Sequence, residues 1–343
     1  GYLNEIYGWR WVFFLIVPFG FAAILAVWFV ITDKAKDGRI LFDWFGFLSL
    51  AIAVAGIQLI LDRGERADWF DSAEIWVETG IVLAAIYYFL VHTFTTERPF
   101  IRPVIFEDRN YSIGMVMIFV FGMLNFVPMV LFPPLLQELR GFPQSVIGLL
   151  LGARGAGTLT GFLIMAFAQR VNPRIPVFLG FSLQAFSGFI IAGFSINLTS
   201  FDVAWTSYVQ GLGVGLVWVP LNVLAFATLK PAYVPDAAAI LHLIRNVGSS
   251  IFISVCITVI LRSSKITYAG LAEGVSAYNK IFDIPFLMGA WSINNEAGIS
   301  AFAREIERQS MMNGYLSAFY LFSFTAVAIL PLLLLIRMPK RHH

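Results

Sequence analysis

Two arginines and a handful of amides interrupt long apolar stretches, and any chemistry in this chain has to start from them. Arg154 lies near the middle of Ser145–Ala168, with Gly152, Gly155 and Gly157 around it leaving room for a bulky head group. Thr158 follows one turn later on the same face. Arg245 lies in Ile240–Leu261, a stretch long enough to cross a bilayer as a helix. On a 3.6-residue period His242, Arg245, Asn246, Ser249 and Ile253 share one stripe, and Ile240, Ile244, Val247, Ile251 and Val255 share the opposite one. A charge in hydrocarbon costs about 2.5–3.5 kcal/mol on insertion scales, so both guanidiniums are expected to turn inward. Two roles stay open for each: a structural tie to backbone carbonyls or another partner, or a place along a solute path. The chemistry in either case is recognition, with no bond made or broken.

A third stretch, Val203–Thr228, carries Gln210, Gly211, Gly213, Gly215, Trp218, Pro220 and Asn222. Gly211, Gly215, Trp218 and Asn222 fall on one face, and Pro220 releases a backbone carbonyl and can kink the helix. An aromatic ring and an amide on a bent helix fit a cavity wall. Asn125 in Ser112–Phe132 and Gln184 in Pro176–Phe194 are further isolated amides. Each either meets a solute or bonds a neighbouring helix, a contact worth about 0.6 kcal/mol in membranes.

No Asp or Glu falls near the middle of any of these stretches. A proton-driven transporter needs a buried titratable group, so any such carboxylate is expected outside this sequence. His242 reads best as a packing or interfacial residue. There is no GxSxG, HExxH, P-loop or Cys/His cluster, so neither an enzyme, a metal site nor a bound cofactor is expected. The single cysteine, Cys256, sits in an apolar segment and excludes disulfides. No basic run with interleaved aromatics points to nucleic acid.

The elements that must position these groups are transmembrane helices. The 343 residues are 59% hydrophobic and only 13% charged, against about 25% charged in soluble domains. This predicts an all-α polytopic membrane protein. Nine spans can be drawn: Trp11–Ile31, Phe45–Leu61, Ile75–Val91, Ser112–Phe132, Ser145–Ala168, Pro176–Phe194, Val203–Thr228, Ile240–Leu261 and Leu316–Ile336. One set of alternate loops holds Lys34, Lys36, Arg39, Arg98, Arg102, Arg109, Arg170, Arg174, Lys230, Arg337, Lys340 and Arg341. The other holds Arg10, Arg63, Arg66 and Arg140. The richer set is expected in the cytoplasm, which places the C-terminus inside. The chain starts at Gly1 in the middle of a pattern and reads as the C-terminal part of a longer protein.

Gly148 and Gly152, Gly157 and Gly161, and Gly211 and Gly215 are pairs four residues apart, the spacing that lets helices approach closely. Packing is the simpler reading, and smooth rocking contacts are the functional one. The segment 262–314 is long for a linker. It holds an amphipathic helix over Ile299–Ser310 and reads as an outer excursion, a partner-docking surface or a lid.

The order of motifs resembles the major facilitator superfamily, specifically the fourteen-helix drug:proton antiporters of the EmrB/QacA type. The residues that carry this are GYLNEIYGWRWVFF with Val17-Pro18, then Asp43-Trp44-Phe45-Gly46, Leu61-Asp62-Arg63-Gly64 and Trp69-Phe70-Asp71-Ser72. Pro134-Leu135-Leu136-Gln137, Pro220-Leu221-Asn222 and Ile244-Arg245-Asn246-Val247-Gly248-Ser249-Ser250-Ile251 follow in the same order. The loop Gln169-Arg170-Val171-Asn172-Pro173-Arg174 resembles the basic cytoplasmic gating loop, with Gln169 where an Asp is common. The resemblance implies residues 1–32 as the last helix of an N-terminal bundle and 33–110 as two inserted helices with a cytoplasmic linker. It implies 111–341 as a C-terminal six-helix bundle.

It also implies export of hydrophobic or cationic solutes in exchange for protons across a bacterial cytoplasmic membrane. A membrane fusion protein and an outer-membrane channel are the partners it brings. In that reading Arg154, Arg245, Asn246, Asn125, Gln210, Trp218 and Asn222 line or shape the path, and the 34 Phe of the chain suit greasy, varied solutes. Export of an endogenous lipid or siderophore-like metabolite is the rival within transport. A non-transporting membrane scaffold or sensor is the rival outside it.

Overall fold

The computed structural model describes residues 1–30, 42–168, 171–275 and 295–336, and the described residues form helices and turns. Arg170 and Gln169, the basic residues 34, 36, 39, 337, 340 and 341, and the middle of segment 262–314 lie outside them.

Nine helices among the described residues are long and apolar enough to cross a membrane. They follow a short helix α1 (Tyr2–Tyr7) and are α2 (Arg10–Val30), α3 (Trp44–Gly64), α4 (Ala73–Thr95) and α5 (Arg109–Pro134). Then come α6 (Gln144–Phe167), α7 (Arg174–Ala192), α8 (Ser200–Phe226), α9 (Val234–Glu273) and α10 (Glu296–Ala328). Each expected span has its helix, with ends shifted by a few residues except at α9 and α10.

Those two helices continue well past the expected spans. The described parts of segment 262–314 are helical, as the ends of α9 and the start of α10. The two helices pack antiparallel there, with Ser263 against Ser317 at 2.9 Å and Asn313 donating to Thr267 at 2.7 Å. The expected helix Ile299–Ser310 is the first part of α10, capped by the Asn295 side chain accepting from Gly298 N–H at 2.6 Å. A polar sequence with regular apolar positions reads as a loop to a hydropathy window, yet it makes a good helix when a neighbour supplies the other half of the seam.

Helices α5 to α10 form one packed bundle. α8 contacts α5, α6 and α7; α9 contacts α5 and α10; and α10 closes against α7. Buried Phe121, Phe132, Phe181, Phe319 and Phe322 fill it. Helices α3 and α4 form a hairpin whose α3 lies along α9. Asp62 accepts from Ser254 at 3.1 Å, and Arg262 pairs with Glu65 at 3.6 Å. By contrast α2 has no buried residue.

The hairpin is tied at its start by Asp43. Its carboxylate accepts from the amides of Gly46 and Phe100, at 2.9 and 2.8 Å, and meets His92 at 2.8 Å. Burial alone would raise this carboxyl, but the bonds from Gly46, His92 and Phe100 outweigh it and hold it below the usual carboxylate range. A depressed folded-state value stabilises above the unfolded value near ~3.9 and is lost as pH falls through it. Asp43→Ala is expected to destabilise by about 1–2 kcal/mol, as for a lost helix cap. The difference from the parent should shrink below about pH 4, read by thermal unfolding in detergent.

Candidate functional site

The sequence brings Arg154 to the centre of α6, and the fold closes three helices over it. Its Nε donates to Gln210 Oε1 on α8. One terminal nitrogen donates to both the carbonyl and the side-chain oxygen of Asn125 on α5, the latter at 2.8 Å. Only 9% of Arg154 and 1% of Gln210 remain exposed. Charge-assisted bonds of this kind hold a buried guanidinium that would otherwise be costly. Three residues that looked isolated in the sequence therefore form one node, linking α5, α6 and α8.

Glycine makes this possible. A methyl group on Gly211 would collide with the carbonyl oxygen of Arg154, and one on Gly157 with that of Tyr208. A methyl group on Gly161 would stand 2.8 Å from the Cα of Gly215. So Gly157, Gly161, Gly211 and Gly215 form the α6–α8 seam. Among the described residues a methyl group on Gly148 would meet Gly1, and one on Gly152 would meet nothing within 4 Å. Among the described residues no helix lies against the Gly152 face of α6, so the α6–α8 seam begins at Gly157.

A second polar tier lies two helical turns along α8. Arg245 places its guanidinium 4.7 Å from the Trp218 ring centroid, a cation–π contact. Trp218 stacks on Phe121 at 5.5 Å, and the His242 ring is 5.8 Å away. Asn222 donates to the Trp218 carbonyl one turn back along α8 at 2.7 Å, so its amide is engaged within its own helix. Arg245 also donates to Asn246 at 3.4 Å. Phe121 and Asn125 are one turn apart on α5, and Gln210 and Trp218 are two turns apart on α8. The two tiers thus share one wall of the bundle.

The stripe expected on α9 splits. His242 and Arg245 turn to Trp218, Ser249 is buried, and Asn246 is exposed on the side facing α3. Adjacent residues are offset by about 100° on a helix, so Asn246 sits at the α3 edge of the stripe while still accepting from Arg245. Arg174 begins α7 and donates to the carbonyl of Ile336. Phe121 and Gly122 were not singled out from the sequence. A methyl group on Gly122 would collide with the Arg245 carbonyl, and an apolar run gives no sign of that.

Gln184 on α7 is fully buried, and neither its amide nitrogen nor its oxygen has a hydrogen-bond partner among the described residues. Leaving such groups unpaired costs about 1–3 kcal/mol. Gln184→Met, of similar shape, is expected to stabilise the protein by about 1 kcal/mol, measured by thermal unfolding in detergent.

Comparison with known proteins agrees with this architecture. The chain is 29% identical over 282 residues to the multidrug export protein EmrB of Escherichia coli strain K12, covering 81% of this chain and 55% of that protein. It is 24% identical over 345 residues to the fatty acid resistance protein FarB of Neisseria gonorrhoeae, covering 99% of this chain and 68% of that protein. It is 25% identical over 346 residues to EmrB of Haemophilus influenzae, covering 99% and 67%. The chain spans about half to two-thirds of the length of the curated relatives it matches. The family model for the Major Facilitator Superfamily matches residues 1–253. With its membrane-length helices and six-helix bundle, the chain belongs to the Major Facilitator Superfamily.

Proposed function

We propose that this chain carries the solute path of a proton-coupled exporter of hydrophobic or cationic drugs, working by alternating access. The observation that carries this is the pair of polar tiers on one wall of α5, α8 and α9, in a chain similar to proteins named for multidrug export. The Trp218–Arg245 pair, backed by Phe121, borders the solute. Arg154 is the node that holds the wall in shape, through Asn125 and Gln210. The α6–α8 glycine seam lets these helices shift against each other.

In this reading α2 ends one bundle, α3 and α4 are an inserted pair, and α5–α10 are the second bundle. The basic loop ends and the C-terminus face the cytoplasm of a bacterium, in its inner membrane. The prolonged α9–α10 pair faces outward, where a membrane fusion protein leading to an outer-membrane channel would dock. The coupling carboxylates are supplied from outside the described helices.

Inverted membrane vesicles carrying the full-length protein test this. An imposed proton gradient is expected to drive dye uptake, and Trp218→Ala to raise the half-saturating dye concentration about tenfold, as for a cation–π and stacking contact worth about 1–2 kcal/mol. Uptake equal to vesicles without the protein would contradict the reading. The similarity to a protein named for fatty acid resistance over 99% of this chain favours one second reading, export of acyl-chain metabolites.

A further inference from the structure

A cavity of about 620 Å³ lies between α3 and α9, away from the Arg154 node. Its walls are apolar along most of their length, with Leu50 and Val54 on α3 facing Leu243 and Val247 on α9. The two helices run parallel, since Asp236 pairs with Arg102 near the start of α3 while Glu65 pairs with Arg262 past its end. Phe47 to Gln58 spans about 16 Å at helical rise. The cavity is therefore a slot shaped for one extended chain.

The two ends of the slot differ. Gln58 and Ser250 line one end. The other holds Asp236, the one charged residue of the lining among the described residues, with the rings of Phe47 and Phe100 in edge contact at 5.5 Å. A carboxylate beside aromatic rings is the chemistry that receives an ammonium group. The present counter-ion of Asp236 is Arg102, at 3.5 Å, and both side chains are open to solvent, 55% for Arg102 and 42% for Asp236. An exposed pair of this kind is weak, so a ligand ammonium can displace it. Arg102 itself rests over the Tyr233 ring at 5.9 Å and is not among the described residues that line the slot.

We propose that this slot binds a single-chain amphiphile with an ammonium head, the head at Asp236 between Phe47 and Phe100 and the chain along Leu50, Val54, Leu243 and Val247. Asn246 lines the slot and also accepts from Arg245 at 3.4 Å. It therefore joins the slot to the Trp218 tier, making the slot an antechamber of the path. That last role rests on the export reading; the binding site does not.

A trimethylammonium alkyl probe with a diazirine in its tail tests the site, with the full-length protein in lipid nanodiscs and no gradient. Mass spectrometry is expected to find the label on residues 50–55 and 243–247. Asp236→Asn should lower labelling about tenfold, and Ala51→Trp, which fills the slot, should remove it. Equal labelling by an alkyl sulfate of the same length, or label spread evenly over the outer faces of α4 and α7, would overturn the proposal. So would unchanged labelling in Asp236→Asn, a solvent-exposed change that leaves the fold intact. Labelling without dye uptake would retire the export reading alone, and uptake without labelling would retire the slot alone.

Discussion

Arg154→Ala is expected to reduce dye efflux from cells producing the full-length protein at least tenfold at matched expression. The guanidinium makes bonds to Gln210 and Asn125 across two helix seams. A hydrogen bond to a charged group contributes about 1.5–3 kcal/mol, and truncation leaves the carboxamide oxygens of Gln210 and Asn125 without their donor. Arg154→Lys should not restore efflux, because one ammonium cannot span the fork that reaches both α5 and α8. Efflux from Arg154→Ala within twofold of the parent would remove the node from the mechanism.

Gly211→Leu is expected to destabilise by about 3 kcal/mol, the upper part of the range for overpacking. The obstacle it meets is the backbone oxygen of Arg154, which cannot rotate away as a side chain would. Helices α6 and α8 would have to separate, pulling Gln210 from Arg154. Thermal unfolding in detergent reads this directly. Gly152→Leu is the matched control, with open space at that position, and should change stability by less than about 0.5 kcal/mol. Equal effects from the two changes would show that the seam is not a close contact.

Much of this architecture was legible in the residues. Length and hydropathy located every span because the bilayer demands apolar helices of a fixed size. Polar atoms in such a setting are few, so Arg154, Asn125 and Gln210 stood out one by one. Their convergence did not, because pairing across helices 29 and 56 residues apart in sequence depends on packing. The same holds for Gly122, which is indistinguishable from any glycine in an apolar run until the Arg245 backbone is seen against it. The extensions of α9 and α10 were hidden for another reason. Hydropathy marks what lies in lipid, and these turns are polar enough to leave it while keeping helical pairing through Ser263, Thr267, Asn313 and Ser317. The slot between α3 and α9 was invisible because it belongs to neither helix alone.

The central claim is that the wall carrying both tiers borders a water-filled path that solute occupies. Single cysteines answer it, placed in a background where the buried Cys256 is replaced. Cysteines at Asn125, Trp218 and Asn246 should react with a membrane-impermeant methanethiosulfonate and be protected by transported dye. Cysteines at the outward-facing Leu149 and Phe167 should do neither. Unreactive cysteines at Asn125 and Trp218, or reaction that dye leaves unchanged, would contradict the account.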